Sequence, residues 1–208
     1  MRKQFTFICI IMFFLNSCKK ACNEPPNNNI IEEKNLSWLP DSAFNFYMIS
    51  DKGIEMQFCI DTFYNKPAKQ PTKDQNPINC PVLNTENIGR TYKSTYMDEL
   101  HYYISSGFGD DYFKGNSLSI TGGYFLFNIS LDNPEGVNDI ESAPRHVKSD
   151  YTYISQITVR NKKYNDVMKI WSVDLGASNP QYVDTIYTAK HHGLIYFTQK
   201  NGSYWARK

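Results

Sequence analysis

Two groups of side chains in this sequence have the types and spacing to do chemistry, and each also has a plainer reading. His191-His192 is a pair of metal-ligating rings beside Gly193. Neighbouring residues on a strand point to opposite faces, so both rings reach one metal only if Gly193 turns the chain; otherwise they are turn residues. Asp110-Asp111 and the set Asp132, Glu135, Asp139 and Glu141 offer oxygen ligands of the kind calcium takes. The second set lacks the D-x-[DN]-x-[DN]-G spacing that wraps a loop round the ion, so a solvated acidic loop is expected. No G-x-S-x-G, H-E-x-x-H or phosphate-binding glycine loop occurs, so no catalytic residue, metal or cofactor is expected. A pair of glycosidase carboxylates assembled from distant positions stays open, because sequence spacing does not reveal it.

The chain has 208 residues, a length suited to one domain or two small ones. Its 22 Lys+Arg against 21 Asp+Glu supply no long-range field, so nucleic acid is not an expected partner. With 41% hydrophobic and 15% aromatic residues it is too apolar to be a disordered tail.

The first residues set the expected address. Arg2 and Lys3 precede an apolar run over residues 5–15, shorter than the ~20 residues a membrane-spanning helix needs. Leu15-Asn16-Ser17-Cys18 follows and resembles the lipobox of bacterial lipoproteins. The resemblance implies a signal peptide over residues 1–17, cleavage before Cys18, and acylation of its thiol and new amino group. Two or more acyl chains anchor a protein stably in a lipid bilayer, at ~0.8 kcal/mol per buried CH₂. Lys19 stands where an Asp would often mark inner-membrane retention, which favours the outer membrane. No dense acidic cluster follows, which favours the periplasmic face over the cell surface. Cys22 has no apolar residue three positions before it and is the poorer acceptor.

Residues 18–35 carry Pro25-Pro26 and Asn27-Asn28-Asn29 without apolar periodicity and read as a flexible tether. The domain is then expected over residues 36–208. In an oxidising compartment Cys59 and Cys80 can form a disulfide worth ~3 kcal/mol; the alternative is a free Cys59 acting as a small hydrophobe.

The elements that must position any site are strands. Residues 43–50 and 54–64 alternate with period two around Asp51-Lys52-Gly53, and residues 151–159 and 164–173 do so around a turn at 160–163. Further strands are expected at 90–97, 117–121, 124–131, 182–188, 194–198 and 204–207, with Gly122-Gly123 as a bulge or tight bend. Residues 100–105 read as a strand or a short helix, and residues 65–87 and 132–145 as long loops. No 3.6-residue apolar stripe persists beyond about two turns. The fold class expected is therefore all-β or mainly β: an antiparallel meander forming a curved sheet, half-barrel or sandwich, with at most one or two short helices.

Gln156-Ile157-Thr158-Val159-Arg160-Asn161-Lys162-Lys163-Tyr164-Asn165-Asp166-Val167 resembles the xVNGKxYxDV hairpin of many Bacteroidetes lipoproteins, with Lys162 in place of the usual turn glycine. Val183 to Lys190, then Gly193-Leu194-Ile195-Tyr196-Phe197 and Gly202-Ser203-Tyr204-Trp205, are similar to their IYYAKGxGLIxF…DGxxW ending. Ser37-Trp38-Leu39-Pro40 is similar to their opening. The likeness covers about the last third of the chain and implies a curved antiparallel sheet wrapped round a short helix or an apolar groove. Asp41-Ser42-Ala43 also resembles the D-[ST]-small acceptor of O-glycans in that group, which implies a glycan on Ser42.

The aromatics have two readings: core and cross-strand ladders, or the lining of an apolar groove by Tyr102, Phe125, Phe127, Tyr153, Trp171 and Tyr196. Together these features point to an envelope lipoprotein with a non-catalytic binding or scaffold role. Its expected partners are the bilayer, through Cys18, and an envelope protein, lipid or glycan. The alternatives are a carrier of an apolar ligand in a half-barrel groove and, ranked last, a hydrolase of envelope glycans.

Overall fold

The computed structural model describes residues 30–41, 45–66, 86–97, 99–108, 113–132, 138–139, 148–172 and 179–208. The chain forms β1 (Phe46–Ser50), β2 (Glu55–Lys66), β3 (Asn87–Ser94), β4 (Leu100–Phe108), β5 (Phe113–Gly122) and β6 (Phe125–Ser130). It continues as β7 (Asn138–Asp139), β8 (Lys148–Val159), β9 (Lys162–Ser172), β10 (Val183–Ala189), β11 (Gly193–Gln199) and β12 (Tyr204–Arg207). Among the described residues one short helix, α1 (Glu33–Leu36), precedes them. The stretch that reads equally as strand or helix is β4, decided by its pairing on both sides with β3 and β5.

All twelve strands join one sheet in the order β6-β5-β4-β3-β2-β1-β12-β11-β10-β9-β8-β7. Strands adjacent in the chain are adjacent in the sheet except β6 and β7, and β1 pairs with β12, Met48 facing Arg207 and Ser50 facing Trp205. The two free edges, β6 and β7, therefore come from successive segments, and the sheet coils until they nearly meet. Across that seam the Tyr151 hydroxyl of β8 donates to the Ser130 carbonyl of β6 at 3.1 Å. Burial pushes the Tyr151 hydroxyl up to about 12, so the donor keeps its proton at physiological pH.

Alternation fills the interior from every side. Ile170, Ile186, Phe197 and Trp205 stand in one row across β9 to β12, and all are buried. Tyr102, Ile120 and Phe127 form a row across β4 to β6, none more than 1% exposed. The two walls touch: the Tyr102 hydroxyl hydrogen-bonds to the Thr188 hydroxyl, and Phe125 meets Phe197 edge to face at 5.1 Å. Burying each such side chain contributes about 1.5–3 kcal/mol, which favours a packed core over an open lumen.

Tyr102, Phe125 and Phe127 are thus core residues rather than the wall of an open groove. Trp171 and Tyr196 lie on the opposite face, because their neighbours Ile170 and Phe197 point inward. Tyr196 joins an outer ladder with Tyr187 and Tyr204 at 5.4 and 5.6 Å. Tyr153 is 51% exposed, its ring 5.9 Å from Trp38. The six expected lining residues do not share one surface.

The expected tether ends earlier than residue 35. Ile31 and Asn35 are buried, and α1 is docked by long-range hydrogen bonds. The Asn116 side-chain oxygen accepts from the Glu32 amide at 2.7 Å and from the Asn35 side chain at 3.0 Å, while the Ile31 amide donates to Glu86 at 2.9 Å. Trp38 and Leu39 enter the core. Partners 55 and 81 positions away leave no local trace, so a segment without apolar periodicity still packs.

The β8–β9 hairpin turns on two residues. Arg160 and Asn161 both have positive φ, 48° and 66°, the mark of a type I′ turn, and Val159 pairs with Lys162. Asn161, not Lys162, does the work of the turn glycine; Lys162 already belongs to β9. Replacing Arg160→Asn together with Asn161→Gly is expected to stabilise the protein by about 1 kcal/mol, because asparagine and glycine tolerate left-handed backbone best. A urea midpoint that does not rise would contradict this turn assignment.

Cys59 is half-buried on β2 opposite Lys93. Its expected partner Cys80, the lipidation residue Cys18 and the glycan residue Ser42 lie outside the described residues, as do Asp110, Asp111, Glu135 and Glu141. Among the described residues no helix is long and apolar enough to cross a membrane.

Candidate functional site: a cleft on the outer face

A cleft of about 460 Å³ lies on the outer face of β2, β3 and β4. Its floor is set by one cross-strand row, Tyr64–Gly89–Tyr103, beside a second, Thr62–Thr91–His101. Strands are spaced about 4.8 Å apart, so Tyr64 and Tyr103, with Gly89 between them, stand two strands apart, roughly 10 Å. Gly89 is required there. A Cβ at that position would lie 2.4 Å from the Tyr103 Cβ and 2.7 Å from the Tyr102 carbonyl oxygen.

Polar groups ring this aromatic pair. A bulge between Ile60 and Thr62 leaves Asp61 exposed at the rim, where it takes a 2.8 Å ion pair from Lys93 and a 3.0 Å hydrogen bond from Thr62. The bonds from Lys93 and Thr62 hold its carboxyl below the ordinary carboxylate range, so it stays ionised at neutral pH. His101 is fixed on both nitrogens, Nδ1 at 3.2 Å from the Thr91 hydroxyl and Nε2 at 3.5 Å from Glu99. Arg90, between Gly89 and Thr91, pairs with Phe63 and the core residue Tyr102, so its side chain turns away from the cleft face. Its guanidinium lies 5.5 Å from the centre of the Phe63 ring, and its buried Nε has no hydrogen-bond partner among the described residues.

This arrangement can hold a ligand by ring faces and by directed hydrogen bonds. For acid catalysis on a glycosidic bond a carboxyl must be raised so that it carries a proton at neutral pH. Asp61 is shifted the other way.

The two histidines that could ligate a metal only if Gly193 turned the chain separate in the structure. His191 has φ 64° in the turn between β10 and β11, and its Nδ1 sits 2.9 Å from Asp41. The His192 ring instead packs edge-on against Tyr164 at 5.3 Å. Among the described residues no group of three or more His, Cys, Asp or Glu side chains is placed to hold a metal. Asp132 bonds to the Asn116 amide and serves the docking of α1.

None of the cleft residues was nominated from sequence. One signal pointed to them: a glycine inside a strand often marks a close approach, and Gly89 precedes the first residue expected in that strand. Of the two adjacent aromatic pairs, Tyr102-Tyr103 puts one ring in the core and one on the cleft face, whereas Phe63 and Tyr64 are both exposed.

Fold and cleft together define a nearly closed antiparallel β domain with an external aromatic and polar cleft. Comparison with family models, with curated proteins and with solved structures finds no match to this chain.

Proposed function

We propose that this protein is a lipid-anchored binding module of a bacterial envelope, and that its outer cleft takes a saccharide without transforming it. The observation that carries the reading is the Tyr64–Gly89–Tyr103 row flanked by Asp61 and His101. A sugar presents apolar C–H faces to aromatic rings and hydroxyls to charged or amphoteric side chains, and this row offers both. A volume of about 460 Å³ falls in the range of small-ligand clefts. The packed interior supports a surface binder over a carrier of apolar ligands.

The anchoring half rests on Leu15-Asn16-Ser17-Cys18, with acylated Cys18 holding the domain at the outer membrane, facing the periplasm. Mass spectrometry of the mature protein should find diacylglyceryl-modified Cys18 at the new N-terminus; an unmodified sulfur there would remove the anchor.

For the cleft, tryptophan and tyrosine fluorescence of the full chain is titrated with envelope oligosaccharides, peptidoglycan fragments among them. Tyr64→Ala and Tyr103→Ala should each weaken binding at least tenfold, while Tyr47→Ala, exposed on β1 away from the cleft, should leave it unchanged. Equal loss in all three, or no saccharide response in the parent protein, would defeat the assignment.

A further inference from the structure

A second polar pocket, on different residues, lies at the mouth of the barrel where β1 begins and β12 ends. Its cavity of about 200 Å³ is lined by Asp41, Phe46, Tyr92, His191, His192 and Arg207. Arg207 is the centre. It sits opposite Met48 on the inward face of β12, its guanidinium 4.8 Å over the Phe46 ring. Its Nη1 donates to the carbonyls of His192 and Leu194, and among the described residues no carboxylate pairs with it. A half-buried cation held only by carbonyl dipoles lacks the counter-charge that buried charges normally have.

The groups around it are also unsatisfied. Tyr92 is 1% exposed and meets Phe46 edge to face at 5.3 Å, so the tyrosine and the guanidinium share one ring. Its hydroxyl is buried without a hydrogen-bond partner among the described residues, and so is that of Tyr164, which backs His192. Native structures seldom leave such hydroxyls unpaired unless something else supplies the acceptor. Lys162 adds positive charge 5.2 Å over the Tyr164 ring. The one carboxylate among the described residues lining the pocket, Asp41, is taken up at the exposed rim by His191. Burial, together with the Lys162 and Arg207 charges, holds His192 below its ordinary value, so its ring is neutral at pH 7.

We propose that this mouth pocket is a binding site for a small carboxylate, held by the Arg207 guanidinium and by the Tyr92 hydroxyl. A planar carboxylate matches the fork of guanidinium donors and provides the acceptor that the tyrosine lacks. A tetrahedral oxyanion offers the same charge with a poorer match to the planar fork.

The test is thermal unfolding of the full chain with sodium acetate, sodium phosphate or sodium chloride at equal ionic strength. A ligand that binds only the folded state raises the midpoint in a saturable way. Acetate is expected to do so, and chloride is not. Tyr92→Phe removes one hydroxyl that has no partner, so it should fold at least as well as the parent while losing about tenfold in acetate affinity. Arg207→Lys should abolish the response. If acetate and chloride act alike, or if Tyr92→Phe binds acetate as the parent does, the site is refuted. If phosphate alone saturates, the carboxylate assignment is overturned. Should Arg207→Lys fail to fold, Tyr92→Phe still decides.

Discussion

Gly122→Ala should destabilise the protein by about 3 kcal/mol or more, at the upper end of single-residue effects. Gly122 closes β5 with φ 108°, opposite Phe125 across the turn into β6. A Cβ there would lie 1.9 Å from the Glu99 carbonyl oxygen and 3.0 Å from its carbon. That oxygen belongs to the backbone just before β4, which pairs with β5 through His101 opposite Thr121, so relief requires moving a strand rather than rotating a side chain. Positive φ adds strain of roughly 1–3 kcal/mol. For a domain of this size the thermal midpoint should fall by about 6–12 °C. Gly53→Ala is the matched control: its φ is 77° but nothing lies within 4 Å of the new Cβ, so only backbone strain applies. Equal midpoints for the two variants would show that the close approach of Glu99 is not present in solution.

The second large effect is at Tyr102. Tyr102→Ala should cost about 3–5 kcal/mol, because it removes a ring that is 1% exposed and spans the core from β4 to β10. Tyr102→Phe separates the ring from its hydroxyl. It keeps the packing but leaves the Thr188 hydroxyl, itself fully buried, without the partner it has now, at a cost of about 1–3 kcal/mol. Burial pushes the Tyr102 hydroxyl well above the ordinary tyrosine value. Its protonated form is therefore the one present at physiological pH, and the stability difference between the parent and Tyr102→Phe should not change between pH 6 and 9. Urea unfolding gives both numbers, provided the slope with denaturant stays constant. A Tyr102→Ala variant as stable as the parent would mean that the two walls do not touch as described.

Where sequence and structure agree, the signal is local. The turn at Asp51-Lys52-Gly53, the tight bend at Gly122-Gly123 and the alternation on both sides of Asn161 each depend on a few consecutive residues. The first and third were legible as hairpins, the second as a bulge or tight bend. The failures are also physical. Tyr102 and Tyr196 both lie in alternating strands, and alternation says that neighbours face opposite ways without saying which way is inward. One proved to be core and the other an outer ladder. Asn35 gave no periodic signal because its stabilisation comes from the side chains of Asn116 and Asp132.

By itself, then, the amino-acid order determined an all-β, antiparallel, meandering domain, since strand period and turn chemistry are short-range properties. Tertiary structure alone decided that β1 closes on β12, that the interior is packed, and that Tyr64, Gly89 and Tyr103 form one cleft while Arg207 and Tyr92 share one pocket. Those outcomes depend on strand register and on partners far apart in the chain, where a shift of one residue would send every side chain to the other face.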